Sequence, residues 1–161
     1  MPPCHGGGRG FESRPDRKNS PYIIYKDCFY IYFINKAQMN GKKIQTNSRS
    51  KKITLQYFQF LDQHISDVVE GKVSEFMELS QIASELAISH QHLTDTIKKE
   101  TGKHPCHFYD EKIISKAKEL LKNKETSIAQ ISLSLTYDPS NFSKFFKKWT
   151  GITPGQFRKT M

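Results

Sequence analysis

Between Leu79 and Phe157 the chain states one pattern twice, at an offset of 49 residues. Leu79 falls on Ile128, Ile82 on Ile131, Leu86 on Leu135, Leu93 on Phe142 and Ile97 on Phe146. Lys98-Lys99 falls on Lys147-Lys148, Thr101-Gly102 on Thr150-Gly151, Pro105 on Pro154 and Phe108 on Phe157. Apolar positions meet apolar positions, basic pairs meet basic pairs, and helix-ending glycines meet each other. A repeat of this period is one supersecondary unit used twice, each copy needing a neighbour to bury its apolar side.

Size allows little beyond that. With 161 residues, 36% of them hydrophobic, the chain can bury one modest core or two small ones that share a helix. The net charge of +9 favours a polyanionic partner, either nucleic acid or an anionic surface. Cys4, Cys28 and Cys106 are scattered and odd in number, which reads as a reduced intracellular protein without a cysteine metal site. The apolar run Cys28–Ile34 is too short to span a bilayer and is bounded by Lys26 and Asp27. It lacks a signal-peptide cleavage site as well, so a cytoplasmic protein with no membrane association is expected.

Residues 1–38 differ from the rest. Residues 1–18 are rich in Gly, Pro and Arg, show no apolar period and are expected to be disordered. Asn, Tyr, Ile, Lys and Phe then fill 14 of the 20 positions from 19 to 38. Those amino acids share A/T-rich codons, and Gly10-Phe11-Glu12-Ser13 is what the T-arm of a transfer-RNA gene gives when read as codons. The expectation is that translation begins at Met39 and that residues 1–38 are a spurious extension. A short β-hairpin, or the remnant of a lost sensor domain, is the competing reading. The charge argument is independent of this choice, because residues 39–161 carry 19 Lys/Arg against 13 Asp/Glu.

From Met39 onward the pattern is helical. Residues 39–53 form a basic tail with Lys42, Lys43, Arg49, Lys51 and Lys52. Leu55, Phe58, Leu61, Ile65 and Val68/Val69 recur at spacings of three and four, an amphipathic helix stopped by Gly71. A short helix over Leu79–Leu86 precedes a longer one capped by Ser89 and closed by Gly102. Pro105 opens a helix reaching about Asn123, with Ile113, Ile114, Ala117, Leu120 and Leu121 on one side. The second copy follows: Ser127 caps Ile128–Leu135, Asp138 caps a helix to Thr150, and Pro154 starts a last turn. Seven helices without a strand signal make the fold class all-α, with unit one over about 54–104, a linking helix over about 105–123 and unit two over about 124–161.

A short helix, a three-residue turn and a longer capped helix is a helix-turn-helix. In copy one Ile82, Ala83, Leu86, Leu93 and Ile97 face inward, and in copy two Ile131, Ser132, Leu135, Phe142 and Phe146 do. Position 83 wants a small residue because the helices cross closely there. The opposite stripe of the second helix is Gln91, Thr94, Asp95 and Lys98, which the offset maps onto Ser140, Ser143, Lys144 and Lys147. A solvated helix face would also be polar, but two such faces in a basic chain point to a polyanion reader.

Residues 54–161 resemble the DNA-binding domain of the AraC/XylS family of transcription regulators. The likeness rests on Ile128-Ala129-Gln130-Ile131-Ser132, on Tyr137-Asp138-Pro139-Ser140-Asn141-Phe142-Ser143-Lys144-Phe145-Phe146-Lys147-Lys148, and on Gly151-Ile152-Thr153-Pro154-Gly155-Gln156-Phe157-Arg158. Ser132 stands where the family usually has Ala, and Thr136 where its turn usually carries Gly, which would force Thr136 into positive φ or re-make the turn. The resemblance implies a monomer reading a non-palindromic site in double-stranded DNA, with two recognition helices in successive major grooves and RNA polymerase as a further partner. The expected DNA-binding residues are Gln91, Thr94, Asp95, Lys98, Lys99, Ser140, Asn141, Ser143, Lys144, Lys147 and Lys148. The lysine pairs would touch phosphate. Asp95 would either accept from a cytosine amine or pair with a neighbouring Lys. Family members usually attach this domain to a larger ligand-sensing domain; the 53 residues ahead of the first helix are too few for one, so no small-molecule effector is expected.

Three alternatives remain at this level. Pro105-Cys106-His107 begins the active-site motif of alkylguanine-DNA alkyltransferases, but Phe108 replaces the Arg that motif needs and matches Phe157 of copy two. His90, His92, His104, Cys106 and His107 cluster in sequence without the spacing of a common metal site. A degenerate adaptor using the same helices to bind protein would show exposed apolar anchors, which these stripes lack. No catalytic residue, cofactor or metal is expected.

Overall fold

The computed structural model describes residues 49–161, and the expectations for residues 1–48 lie outside them. The described residues form seven helices and no strand: α1 (Arg49–Val69), α2 (Leu79–Glu85), α3 (His90–Thr101), α4 (Pro105–Leu121), α5 (Ile128–Ser134), α6 (Pro139–Thr150) and α7 (Pro154–Lys159). The all-α fold with two helix-turn-helix units is as the sequence leads one to expect.

The repeat extends down to individual hydrogen bonds. The Gln81 side chain accepts from the Glu78 N–H at the start of α2, and Gln130 does the same for Ser127 at the start of α5. Ser89 accepts from the His92 N–H, and Asp138 from the Ser140 N–H, each satisfying a donor the first helical turn leaves open. The turns close identically, with the Ile88 N–H donating to Ala83 O and the Tyr137 N–H to Ser132 O. Gly102 and Gly151 end their helices at φ 76° and 82°, a region that disfavours any side chain. Thr136 does take the positive φ its sequence threatened, 58°, and Ala87 at the matching position of unit one takes 55°.

The core shows why the two units belong together. Ala83 and Ser132 are both completely buried where the short and long helices cross. α4 serves twice: its Pro105–Phe108 start packs in unit one as Pro154–Phe157 of α7 does in unit two, and its body backs unit two as α1 backs unit one. The offset places Ile65 on Ile114 and Val68 on Ala117, all four buried. One continuous apolar cluster therefore runs through both units.

Three expectations about α1 and α4 need correction. α1 starts at Arg49, so the last five residues of the supposed basic tail are helical, with Ile53 buried. Leu55 is 38% exposed, and Tyr57 instead is fully buried, its hydroxyl donating to Pro105 O at 2.9 Å. α4 ends at Leu121, two residues early, and Arg158 donates to the carbonyl oxygens of Leu121 and Thr126 just beyond it.

Candidate nucleic-acid interface

Unit one and unit two each present the outer face of their second helix. On α3, Gln91, Asp95, Lys98 and Lys99 are exposed; on α6, Ser140, Asn141, Lys144, Lys147 and Lys148 are. Ten of the eleven expected residues are thus at least partly accessible, though Ser143 is half-buried and its hydroxyl donates to Pro139 O at 2.9 Å. Thr94 is the correction. It is only 6% exposed, and its hydroxyl is enclosed without a hydrogen-bond partner among the described residues. The accessible stripe therefore runs 91, 95, 98 rather than through 94.

Among the described residues Asp95 forms no ion pair with a lysine and is held by an amide instead. Both of its carboxylate oxygens lie 2.9 Å from Gln91 Nε2, four residues back on the same face. The amide thus holds the carboxylate, and each fixes the rotamer of the other. His92, missing from the expected residues, is exposed at the position that the repeat equates with Asn141. The offset that drew attention to Asn141 pointed equally to His92.

The lysines have two physical roles open to them. Lys98/Lys99 and Lys147/Lys148 stand in the last turns of α3 and α6, where they complement the negative end of the helix dipole. Among the described residues none of these four, nor Lys144, forms an ion pair; the ion pairs present join Lys72, Lys112 and Lys116 to Asp67, Glu70, Asp62 and Glu119. Their ammonium groups are therefore available to an external anion.

The histidines have structural surroundings. His104 caps α4, its Nδ1 accepting from the Cys106 N–H, and its pKa is lowered by burial first and then by Lys98 and His90. His107 lies against Trp149 with ring centroids 5.1 Å apart, and burial together with Lys103 lowers its pKa. Cys106 is the second residue of α4, and Phe108 beside it is buried in the core. Among the described residues no three His, Cys, Asp or Glu side chains group to hold a metal ion. No described helix is long and apolar enough to cross a membrane.

Comparison with known proteins matches this geometry. A family of helix-turn-helix domains matches residues 82–160. The C-terminal domain of AraT, a response regulator from Geobacillus stearothermophilus, is 31% identical and superposes with a TM-score of 0.60 over 71% of this chain and 89% of that domain. The chain belongs to the AraC/XylS family of transcription regulators. An AraC-type transcriptional regulator from Chromobacterium violaceum aligns at 25% identity and a TM-score of 0.50, over 63% of this chain and 92% of that one. The uncharacterized HTH-type transcriptional regulator YfiF of Bacillus subtilis is 33% identical over 90 residues, which are 56% of this chain and 29% of YfiF. The AraC-type match thus spans less than a third of that relative's length.

Proposed function

We propose that this AraC-type domain binds double-stranded DNA sequence-specifically as a monomer, with α3 and α6 entering successive major grooves. The observation that supports it most is the pair of equivalent exposed faces, Gln91–Asp95–Lys98 and Ser140–Lys144–Lys147, carried by two units that share α4. The 17 residues of α4 span about 26 Å at 1.5 Å per residue. A turn of B-DNA is about 34 Å, so a modest bend toward the protein brings both grooves within reach. Gln91, Ser140, Asn141 and Lys144 lie toward the N-terminal halves of their helices and address base edges. Lys98, Lys99, Lys147 and Lys148 lie at the C-terminal ends and hold phosphate.

An alkyltransferase reading of Cys106 has less support. Its segment is a helix start whose Phe108 packs in the core as Phe157 does in unit two, and the same segment shape recurs there without a cysteine. We therefore assign the chain a binding role and no enzymatic one.

Binding-site selection on the purified chain, followed by titration at several salt concentrations, tests the proposal. Lys147→Ala is expected to weaken binding to all duplexes alike and to reduce the salt slope by about one. Gln91→Ala and Lys144→Ala are expected to relax preference at particular base pairs by about 1–3 kcal/mol each, at positions about one helical turn apart. If both altered the same base pair, the two-groove arrangement would fail.

A further inference from the structure

We propose that two aromatic clasps, Phe76 with Tyr137 and His107 with Trp149, fix the spacing of the two half-sites that α3 and α6 read. The inference rests on the two-groove reading above. Tyr137 stands just ahead of α6, and its ring lies 6.3 Å from that of Phe76, which precedes α2 in unit one. Trp149 is in the last turn of α6, 5.1 Å from the imidazole of His107 at the start of α4. Both ends of the second reading helix are therefore held against the unit-one side of the molecule. Phe145 connects the two clasps, stacked on Tyr137 at 5.2 Å and edge-on to Trp149 at 6.5 Å. Offset and edge-to-face pairs at such separations have preferred geometries and contribute stability beyond their buried area.

The repeat shows that a helix-turn-helix unit does not itself need these rings. The unit-one counterparts of Tyr137, Phe145 and Trp149 are Ile88, Thr96 and Glu100, while the inward positions Phe142 and Phe146 answer to Leu93 and Ile97. Of the extra rings, Tyr137 and Trp149 reach Phe76 and His107 across the units, and Phe145 braces the two from within unit two. A bar held at both ends cannot rotate to follow DNA whose second groove has moved. These side chains are accordingly positioning residues, acting through α6 without touching DNA.

The test uses the full 161-residue chain, duplexes from the selection, and the same duplexes with one base pair inserted between the half-sites. The insertion turns the second groove by about 34°. Wild-type affinity is expected to fall at least about tenfold, the loss of one to several base contacts. For Trp149→Leu and Phe76→Leu the same insertion should cost about threefold or less, with penalties for base changes inside each half-site unaltered. Circular dichroism follows folding, and His107→Leu opens the same clasp if loss of the indole unfolds the domain. Variants that keep the wild-type insertion penalty, or that lose half-site discrimination along with it, overturn the clasps alone. A wild-type protein indifferent to insertion overturns the two-groove reading and the clasps with it.

Discussion

The two units share a hydrogen-bonding skeleton and differ in what fills and faces it. Unit one is packed with Ile82, Leu93 and Ile97 and backed by α1; unit two is packed with Phe142, Phe146 and Phe157 and backed by α4. α3 sets Asp95 and Glu100 against Lys98 and Lys99, whereas α6 carries Lys144, Lys147 and Lys148 and no acid. On the proposed reading both units read bases and hold phosphate, but unit two carries the greater positive charge, while unit one offsets its lysines with the tethered Gln91–Asp95 pair. A carboxylate facing DNA weakens every complex and is tolerated best where a base can answer it. The lesson is that one fold, duplicated, changes its surface charge while its caps and turns stay fixed.

That difference would not extend to folding, because α4 belongs to both units. Phe146→Ala removes a fully buried ring from unit two and should destabilise the protein by about 3–5 kcal/mol. The whole described domain should still melt in one transition, the helicity of unit one disappearing together with that of unit two. Ile97→Ala in unit one should give the same single transition after a loss of about 2–5 kcal/mol. Thermal and urea denaturation followed by circular dichroism decides the matter. A biphasic curve for Phe146→Ala, with unit one surviving, would show that the units fold separately.

Unit one also carries a buried titratable group for which unit two has only Ile113. The Met77 N–H donates to His64 Nε2 at 3.0 Å, and Phe60, Phe76 and Tyr109 enclose the ring. Burial lowers the His64 pKa below 6.5, and the nearby Asp67 carboxylate only partly opposes it. The folded state therefore binds fewer protons than the unfolded one in this range, so stability holds above pH 6.5 and is lost as pH falls from there toward the folded value. His104 and His107 are lowered too and act in the same direction. Melting temperature should fall between pH 7 and pH 5, and His64→Gln should make that decline shallower. An unchanged pH profile in His64→Gln would remove His64 from the account.

What the sequence revealed, and what it hid, follows from how local each signal is. Ser89, Gly102, Pro105, Asp138, Gly151 and Pro154 punctuate helices by their own chemistry, and all six stand where that chemistry places them. Thr94 was misjudged because it lies about 60° around the helix from Ile97 and about 60° from Gln91, on the border of the two faces. Which side it joins is decided by the helices that pack on α3, a tertiary matter that no periodicity shows. The start of α1 was hidden for a related reason. Arg49, Lys51 and Lys52 are good helix formers, but only the burial of Ile53 and Tyr57 against the core distinguishes a helix there from a basic tail. The Arg158 clamp bridges 37 residues to Leu121, beyond any local pattern.

The finest difference between the units is at their turns, where Ala87 and Thr136 occupy the same left-handed conformation. That region costs an ordinary side chain about 1–2 kcal/mol, and a β-branched one fares worse than Ala. Glycine there relieves the strain but frees the unfolded chain, which takes back about 0.4–1 kcal/mol. Thr136→Gly should therefore stabilise the protein by about 0.5–1 kcal/mol, a rise of a few degrees in melting temperature for a domain of this size. Ala87→Gly should give less, because Ala has less strain to release and the same entropy to lose. The order of the two shifts matters more than their size, since both turns share the closing bond from residue 88 or 137 to residue 83 or 132. If Ala87→Gly were the more stabilising of the two, strain at the turn would be set by packing around unit one and not by the branch on Thr136.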